Sequence, residues 1–309
     1  MAAANYNPAP IAPRELTIPS ELAGLRLDQA LAKLLPEHSR SRIRTWIDAG
    51  RVRIAGDASA AKQKLFGGER VTVDPLPDPR NATFVAQALP LAIVYEDEAL
   101  IVVDKPAGLV VHPGSGHWEG TLANALLHHD PGLARVSRAG IVHRLDKDTS
   151  GLLVVAKTPT TQTDLVRQLQ ARTVRREYLA LVHGVVARGG VIDAPIARHP
   201  VKRTAMAVVA SGKHAVTRYE VRERFADCTL LACRLETGRT HQIRVHLAAL
   251  HHPLVGDSAY GRRRGVAFHR QALHAWKLGL VHPVTRAPMS WDSPLPQDFA
   301  SLLESLRKR

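Results

Sequence analysis

The sequence has few cysteines and no long apolar run. Its two cysteines, Cys228 and Cys233, lie five positions apart in a segment predicted to be a strand, so that their side chains should point to opposite faces of a sheet. This spacing suits neither a zinc pair nor a disulfide between them, and we expect both to be reduced core residues. No stretch reaches transmembrane length and no signal-peptide pattern is found, so we expect a cytoplasmic protein that does not bind a membrane.

Motifs for metals and common cofactors are also missing. The 16 histidines are scattered, without a His-Glu-x-x-His element or paired Cys-x-x-Cys elements. No glycine-rich loop for dinucleotides or phosphates is present, which argues against enzymes that bind NAD, ATP or S-adenosylmethionine through those loops. We therefore expect a protein that needs no metal and no cofactor.

Acidic residues are in short supply. The 309 residues include 42 Lys and Arg against 28 Asp and Glu, which gives a net charge of +14. Such an excess favours a polyanionic partner, because each neutralised phosphate releases condensed counterions. Basicity alone would also suit a membrane-surface or purely ribosomal protein. Residues 1–75 contain 11 basic and 8 acidic residues, so most of the excess lies in the larger remainder of the chain.

The composition changes along the chain in a way that indicates two domains. We predict a flexible tail at 1–15, a small α/β domain at 16–75, a proline-rich linker at 76–90 and a second, larger domain at 91–309.

The small domain combines two helical patterns with two strand patterns. Apolar residues recur at helical spacing in 25–35, and segments 51–54 and 69–73 alternate as strands do. A second helix should follow Ser39, with Arg40, Arg42 and Arg44 as its basic side and Ile43, Trp46 and Ile47 as its apolar side. The segment 39–52 resembles the core of the S4-type RNA-binding domain. The three arginines are therefore candidate phosphate contacts, although an ordinary solvated helix face would look similar.

The segment 139–157 has the character of a catalytic site. Asp146 lies between basic neighbours in a polar turn, and the apolar run 152–156 that follows predicts a buried strand. A carboxylate held at the mouth of a rigid strand can act as a nucleophile or as a general base. Cationic neighbours such as Arg144 and Lys147 would favour its ionised form.

Other interpretations of this segment stay open on spacing alone. Asp146, Asp148 and Ser150 match the first half of an EF-hand loop, but Lys157 stands where a bidentate Glu is needed. An aspartate-based phosphatase would place its first Asp directly after an apolar strand. The order His-Arg-Leu-Asp differs from the kinase His-Arg-Asp by an inserted Leu. A turn carboxylate that only pairs with Arg144 is the simplest structural alternative.

The whole set of motifs resembles the RluA-type pseudouridine synthase family, and within it the RluD branch. The segment 139–157 is similar to the family signature around its catalytic Asp. Further segments resemble other family motifs in the same order: 104–114, 176–178, 235–246, 252–257 and 273–275. The similarity covers about residues 90–300, in addition to the N-terminal domain.

The resemblance implies an α+β fold, in which a large, mainly antiparallel mixed sheet is flanked by helices and loops. It also implies that uridines are isomerised to pseudouridine in large-subunit (23S) ribosomal RNA or a pre-ribosomal particle, in the helix 69 stem-loop. The loop after Gly261 looks shorter than in the RluD branch, so transfer RNA or another ribosomal RNA site is the alternative. We expect a monomer.

The same resemblance assigns roles to individual residues. Asp146 is the implied nucleophile, and Tyr178 the implied platform for the flipped uracil. Arg244 is expected to pair with Asp146, since a buried carboxylate without a cation would tend to take up a proton. A surface Arg that pairs with phosphate and a Tyr that only packs in the core are the structural alternatives. The expected substrate contacts are Arg144, His143 and Lys105.

The pattern of the larger domain predicts its main elements. Strands are expected at 100–103, 151–156, 177–182, 215–221 and 229–235. Helices are expected at 122–128, 163–171 and 240–250. In the last of these, Thr240 should be the N-cap, and Ile243, Leu247 and Leu250 should form the buried side.

Overall fold

The structure is a computed structural model that describes residues 13–36, 40–75, 85–114, 118–202, 205–261 and 265–308, with Ser41 and Arg42 described by their backbone alone. The chain divides into two compact units, Met1–Thr83 and Phe84–Arg309. Several predictions made from the sequence lie outside the described residues: most of the tail, Ser39, the linker at 76–84 and the loop at 262–264. Apart from the end of the tail, the predicted domain boundaries therefore stay predictions.

The described residues of the first unit form two α-helices beside a small antiparallel sheet. Its elements are β1 (Arg14–Thr17), α1 (Leu27–Leu34), α2 (Arg40–Asp48), β2 (Val52–Ile54), β3 (Asp57–Ala58) and β4 (Arg70–Val73). The strand order is β1-β4-β2-β3. The apolar side predicted for α2 is confirmed, because Ile43, Trp46 and Ile47 are all at most 3% exposed.

One prediction for this unit needs correction. The flexible tail was predicted to extend through residue 15, but Arg14 and Glu15 belong to β1, where they pair with Val73 and Thr72 of β4. Local composition did not show this strand, because its stability comes from hydrogen bonds to a segment more than fifty residues later in the chain.

The second unit contains the remaining elements. They are β5 (Ile93–Glu96), β6 (Leu100–Lys105), α3 (Leu122–His129), β7 (Ser150–Ala156), α4 (Pro159–Gln170), β8 (Arg175–His183), β9 (Gly190–Asp193), β10 (Ile196–Arg198), β11 (Met206–Val208), β12 (Val216–Arg224), β13 (Cys228–Leu235), α5 (Gln242–Ala249), β14 (Leu273–Val281), β15 (Pro288–Asp292) and α6 (Gln297–Arg307). All five predicted strands correspond to observed ones, namely β6, β7, β8, β12 and β13.

In the described part of this unit, a nine-stranded sheet organises the fold. Its order is β5-β6-β7-β14-β8-β13-β12-β9. β15 pairs with the part of β14 that does not contact β7. Among the described strands of this sheet, only β7 and β14 run parallel, so the sheet is mainly antiparallel and mixed, as predicted. Buried side chains cover both of its faces. Cys228 packs near Phe299 on one face, and Cys233 packs near Tyr178 on the other.

The parallel pair depends on one glycine. Gly151, the second residue of β7, has a φ of +111°, and a Cβ there would collide with the carbonyl oxygen of Ala275 in β14. Glycine has no Cβ, so the two backbones can approach here. The loop that carries Asp146 ends where β7 begins at Ser150, next to this contact, and it is therefore anchored to the middle of the sheet.

The predicted helices exist, but two end details differ. α4 begins at Pro159, after the N-cap Thr158 accepts a hydrogen bond from the backbone of Thr161. The N-cap of α5 is His241, not Thr240, and its backbone is left-handed, with a φ of 56°. The prediction that Leu250 belongs to the buried side is also wrong, because it is 39% exposed.

Among the described residues, no helix combines the length and apolarity that crossing a bilayer requires.

Candidate active site

The second unit contains a cavity of about 610 Å³. It lies where the loop before β7, the end of α4, strand β8 and the start of α5 meet. Six arginines line it among the described residues, against two acids, Asp146 and Glu236. The arginines are Arg138, Arg144, Arg172, Arg176, Arg239 and Arg244. A concave site with this charge suits an anionic ligand.

Asp146 lies on the wall of this cavity in an ion pair. Nη1 of Arg244 donates a hydrogen bond to Oδ2 of Asp146 at 3.0 Å. The carboxylate is partly accessible, since its side chain is 16% exposed, whereas that of Arg244 is 8% exposed. The backbone of Thr149 closes the turn by donating to the carbonyl oxygen of Asp146. The structure thus brings together the carboxylate and the cation that the sequence analysis paired.

Arg244 is held from its other side by a second carboxylate. Its Nε and Nη2 donate to the two oxygens of Asp257, at 2.7 and 2.9 Å, and the side chain of Asp257 is 0% exposed. Burial alone would lower the pKa of Arg244, but the hydrogen bonds and charge of Asp257, together with Asp146, raise it above the ordinary value. The guanidinium therefore stays charged and fixed, with Nη1 directed at Asp146.

His241 faces the other oxygen of the same carboxylate. Its Nε2 lies 3.9 Å from Oδ1 of Asp146, and its Nδ1 is 2.8 Å from the hydroxyl of Tyr260. Because that hydroxyl already accepts a hydrogen bond from the backbone of Met206, it can donate its proton to Nδ1, which leaves the remaining ring proton on Nε2. Burial lowers the pKa of His241, while Asp146 opposes the shift.

Tyr178 lies on the wall of the same cavity. It is the fourth residue of β8 and pairs with Cys233 on one side and Ala275 on the other, so its backbone is fixed in the centre of the sheet. The residue is 6% exposed. Burial raises the pKa of the Tyr178 phenol, and Asp146 contributes to the increase. Its hydroxyl is therefore protonated at neutral pH, and its ring is available as a rigid surface.

His143 and Arg144 also line the cavity, but with different surroundings. Arg144 is exposed. His143 is tied to the sheet, because its Nε2 accepts a hydrogen bond from the backbone of Val154. Burial, together with the charge of Arg176, lowers the pKa of His143 to about 3. His143 is therefore neutral and anchors the loop to β7, and it does not offer RNA a positive charge.

The structure corrects the predicted role of Lys105. This residue is 1% exposed and does not line the cavity. Its Nζ donates to the carbonyl oxygens of Pro106, Leu109 and Lys147, at 2.8 to 2.9 Å. Burial lowers the pKa of Lys105 to about 7, against the raising effect of Asp148 and Asp146. Lys105 therefore joins two loops behind Asp146, and a substrate contact is not compatible with its burial.

The N-terminal arginines differ from one another. Arg40 is engaged by Asp28, because its Nε and Nη2 donate to the same Asp28 oxygen at 2.9 and 2.8 Å. Arg44 is 56% exposed and lies 3.7 Å from Asp48. The side chain of Arg42 lies outside the described residues. Of the three predicted phosphate contacts, Arg44 is thus exposed and only loosely paired, whereas Arg40 is held within its own domain.

Comparison with known proteins places this site in a family. The model of the RNA pseudouridylate synthase family matches residues 99–249, and that of the S4 domain matches residues 25–58. Ribosomal large subunit pseudouridine synthase D of Nitrosomonas europaea is 58% identical over 301 residues, which cover 95% of this chain and 88% of that protein. The chain belongs to the RNA pseudouridylate synthase family.

Other relatives and solved structures agree. Proteins with the same name from Pasteurella multocida and Pseudomonas aeruginosa are 50% and 52% identical, over 95% and 96% of this chain and 96% of each relative. The structure of human RNA pseudouridylate synthase domain containing 1 has a TM-score of 0.55 at 27% identity and covers 72% of this chain and 97% of that one. Human RNA pseudouridylate synthase domain containing 4 has a TM-score of 0.56 at 25% identity, with coverage of 70% and 93%. The protein is a pseudouridine synthase.

Sequence reasoning missed several residues of this pseudouridine synthase site. Asp257 and His241 were part of recognised motifs, but neither was given a role. His241 lies at the start of α5 and Asp257 in the loop that follows α5. Tertiary packing brings both near Asp146, and local sequence does not show this. The sequence predicted a net positive charge for this domain, but it did not show that Arg138, Arg172, Arg176 and Arg239 line one cavity.

The low pKa of His143 predicts acid sensitivity of the fold. The folded value is about 3, against about 6.5 in an unfolded chain, so protonation favours unfolding. The stabilising contribution is complete above pH 6.5 and is lost as the pH falls toward 3. In a His143→Gln variant, the amide oxygen can accept the Val154 hydrogen bond without titrating. Between pH 7 and 5 we expect its free energy of unfolding, measured with urea, to decrease by about 2 kcal/mol less than that of the wild type. Parallel decreases in the two proteins would contradict this assignment.

Proposed function

We propose that this pseudouridine synthase converts uridines of large-subunit (23S) ribosomal RNA to pseudouridine, with Asp146 as the nucleophile and the helix 69 stem-loop as the substrate. The names of the relatives and the match to the S4 domain support a ribosomal RNA substrate. The central observation for the mechanism is the ion pair of Asp146 with the doubly held Arg244, inside a cavity whose rim is rich in arginine.

The reaction needs a base that can turn. The bond between ribose and the uracil nitrogen breaks, the base rotates, and a ring carbon bonds to the ribose. That carbon then loses its proton and the freed ring nitrogen gains one, so the product is an isomer of uridine. A stacked uridine cannot do this, so the nucleotide must first leave its helix and enter the cavity. We assign Arg144 to this step, because it is exposed at the cavity and carries a charge that can replace lost contacts of the flipped nucleotide.

Inside the cavity, Asp146 and Tyr178 have complementary roles. Arg244 keeps the Asp146 carboxylate ionised and oriented, which a nucleophile requires. The ring of Tyr178 provides a flat, fixed surface for stacking of the uracil. Because the pKa of its phenol is raised, Tyr178 is protonated at neutral pH. Its hydroxyl is then better suited to hydrogen bonding with the base than to removing a proton from the ring carbon.

The proposal can be tested on RNA with and without the protein. Pseudouridines in ribosomal and transfer RNA are mapped as base-specific chemical adducts in a strain that lacks this gene and in the same strain with the gene restored. We expect adducts in the helix 69 loop to disappear and return. Purified protein should also form pseudouridines on 23S ribosomal RNA, detected as the same adducts. If adducts disappear only in transfer RNA, or only at another ribosomal position, then that site and not helix 69 is the substrate.

A further inference from the structure

Three residues that line the cavity have a left-handed backbone. Seven described residues other than glycine have a positive φ: Ala55, Arg138, Ala139, Arg172, His241, His251 and Arg286. Three of these line the cavity, namely Arg138, Arg172 and His241, and all three have basic side chains. The left-handed region disfavours residues with a Cβ, so an arginine or histidine held there at a cavity is a candidate for a functional role of its side chain.

Arg172 occupies a position that usually belongs to glycine. It follows the last turn of α4, where its backbone N–H binds the carbonyl oxygen of Leu169 and the N–H of Thr173 binds that of Gln168. This is the Schellman arrangement at a helix C-terminus, which requires a left-handed residue. The φ of Arg172 is 62°. Its side chain is 45% exposed and lies 3.6 Å from Glu236, which Arg218 already holds at 2.6 Å.

Arg138 is in the same conformation near the other end of α4. It lies in the turn Ser137–Gly140, with φ 56° and ψ 35°, and the side chain of Gln162 in α4 donates to the carbonyl oxygen of Ser137. The side chain is exposed and has no ion pair with any acid in the described part of the chain. With Arg144, it lowers the pKa of His112, after the effect of burial, so both arginines lie near His112 on the cavity wall.

We propose that Arg138 and Arg172 bind backbone phosphates of the RNA strand on either side of the flipped uridine. This inference rests on the proposed RNA substrate and adds the contacts that hold it. The planar guanidinium group matches two phosphate oxygens at once. Since one arginine lies at each end of α4, on the rim of one cavity, the pair can hold the strand at both sides of the displaced nucleotide. A purely structural role would be served better by glycine at both positions.

Glycine substitutions test the proposal, because they remove the charge while relieving the backbone strain. Arg138→Gly and Arg172→Gly should fold with a Tm at or above that of the wild type. Each should nevertheless weaken binding of a helix 69 stem-loop RNA about tenfold at physiological salt. Each should also reduce the slope of log Kd against log salt by about 0.7 to 1. Fluorescence anisotropy titrations at several salt concentrations measure both quantities.

Arg286 provides a matched control. It has a φ of 61°, but it pairs with Asp164 at 2.7 Å and does not line the cavity. Arg286→Gly removes the same charge from the same backbone conformation, so Kd and salt slope should stay within experimental error of the wild type. Arg138→Lys, which keeps a point charge, should restore most of the salt slope.

The two proposals can fail separately. If Arg138→Gly or Arg172→Gly binds RNA with the wild-type Kd and salt slope, that arginine is not a phosphate contact, whatever the substrate. If both variants show the expected losses but the wild type forms no pseudouridine in helix 69, the contacts stand and the proposed substrate is wrong. Contacts with phosphate do not read sequence, so the change in slope should appear on any RNA that the protein binds.

Discussion

Replacement of Asp146 by asparagine should abolish pseudouridine formation, with a loss of at least about 10³-fold in single-turnover rate. The amide has nearly the shape of the carboxylate but no negative charge, so it cannot attack the substrate. Arg244 keeps its two hydrogen bonds to Asp257, and the fold should therefore persist. We expect RNA affinity to stay within a few fold of the wild type, or to rise, because the change removes a negative charge from a cationic cavity.

Asp148→Asn is the control for this experiment. It removes the same charge from the same loop two residues later, where the backbone carbonyl, and not the carboxylate, accepts a hydrogen bond from Arg270. This variant should keep most of the activity. If Asp146→Asn retains turnover near that of Asp148→Asn, the assignment of the nucleophile fails, even though the cavity and its arginines remain.

The part of the site around Asp146 could be predicted from the sequence, whereas its ion pair with Arg244 needed more than local pattern. The loop and strand around Asp146 are a contiguous segment, so their pattern was visible directly: a polar turn and then an apolar run of strand length. The pairing with Arg244 required family resemblance, because 98 positions separate the two residues. The same resemblance supplied the mixed sheet, since periodicity alone gives strands but not their order.

Residues whose role depends on tertiary contacts could not be assigned in this way. Lys105 lies in a motif next to a turn, and its sequence cannot show that Nζ is enclosed by three carbonyl oxygens from two loops. Thr240 is a favourable N-cap residue by type, yet α5 starts one residue later with a left-handed His241. There the contact of His241 with Tyr260 and its position beside Asp146 outweigh local preference. β14 was recognised only as a short motif, because its place between β7 and β8 arises from the parallel contact at Gly151.

Arg244→Met should cause the largest loss of stability among the substitutions considered. The side chain of Asp257 is 0% exposed, and without the guanidinium it becomes a buried charge with no cation. Removal of one partner from a buried pair typically costs about 3–5 kcal/mol, so the free energy of unfolding in urea should decrease by that order. Turnover should be lost as well, because Asp146 loses the hydrogen bond that keeps its carboxylate ionised and oriented.

A double variant separates the two effects. In Arg244→Met with Asp257→Asn, position 257 no longer carries an unpaired buried charge. The asparagine oxygen can still accept the backbone N–H groups that Asp257 binds, those of Ala259 and Tyr260. More than half of the lost stability should return. Activity should not return, since Asp146 still has no cation beside it. A double variant that regains both stability and turnover would mean that Arg244 acts only by neutralising Asp257. One that regains neither would place the defect in packing of the start of α5, and not in charge.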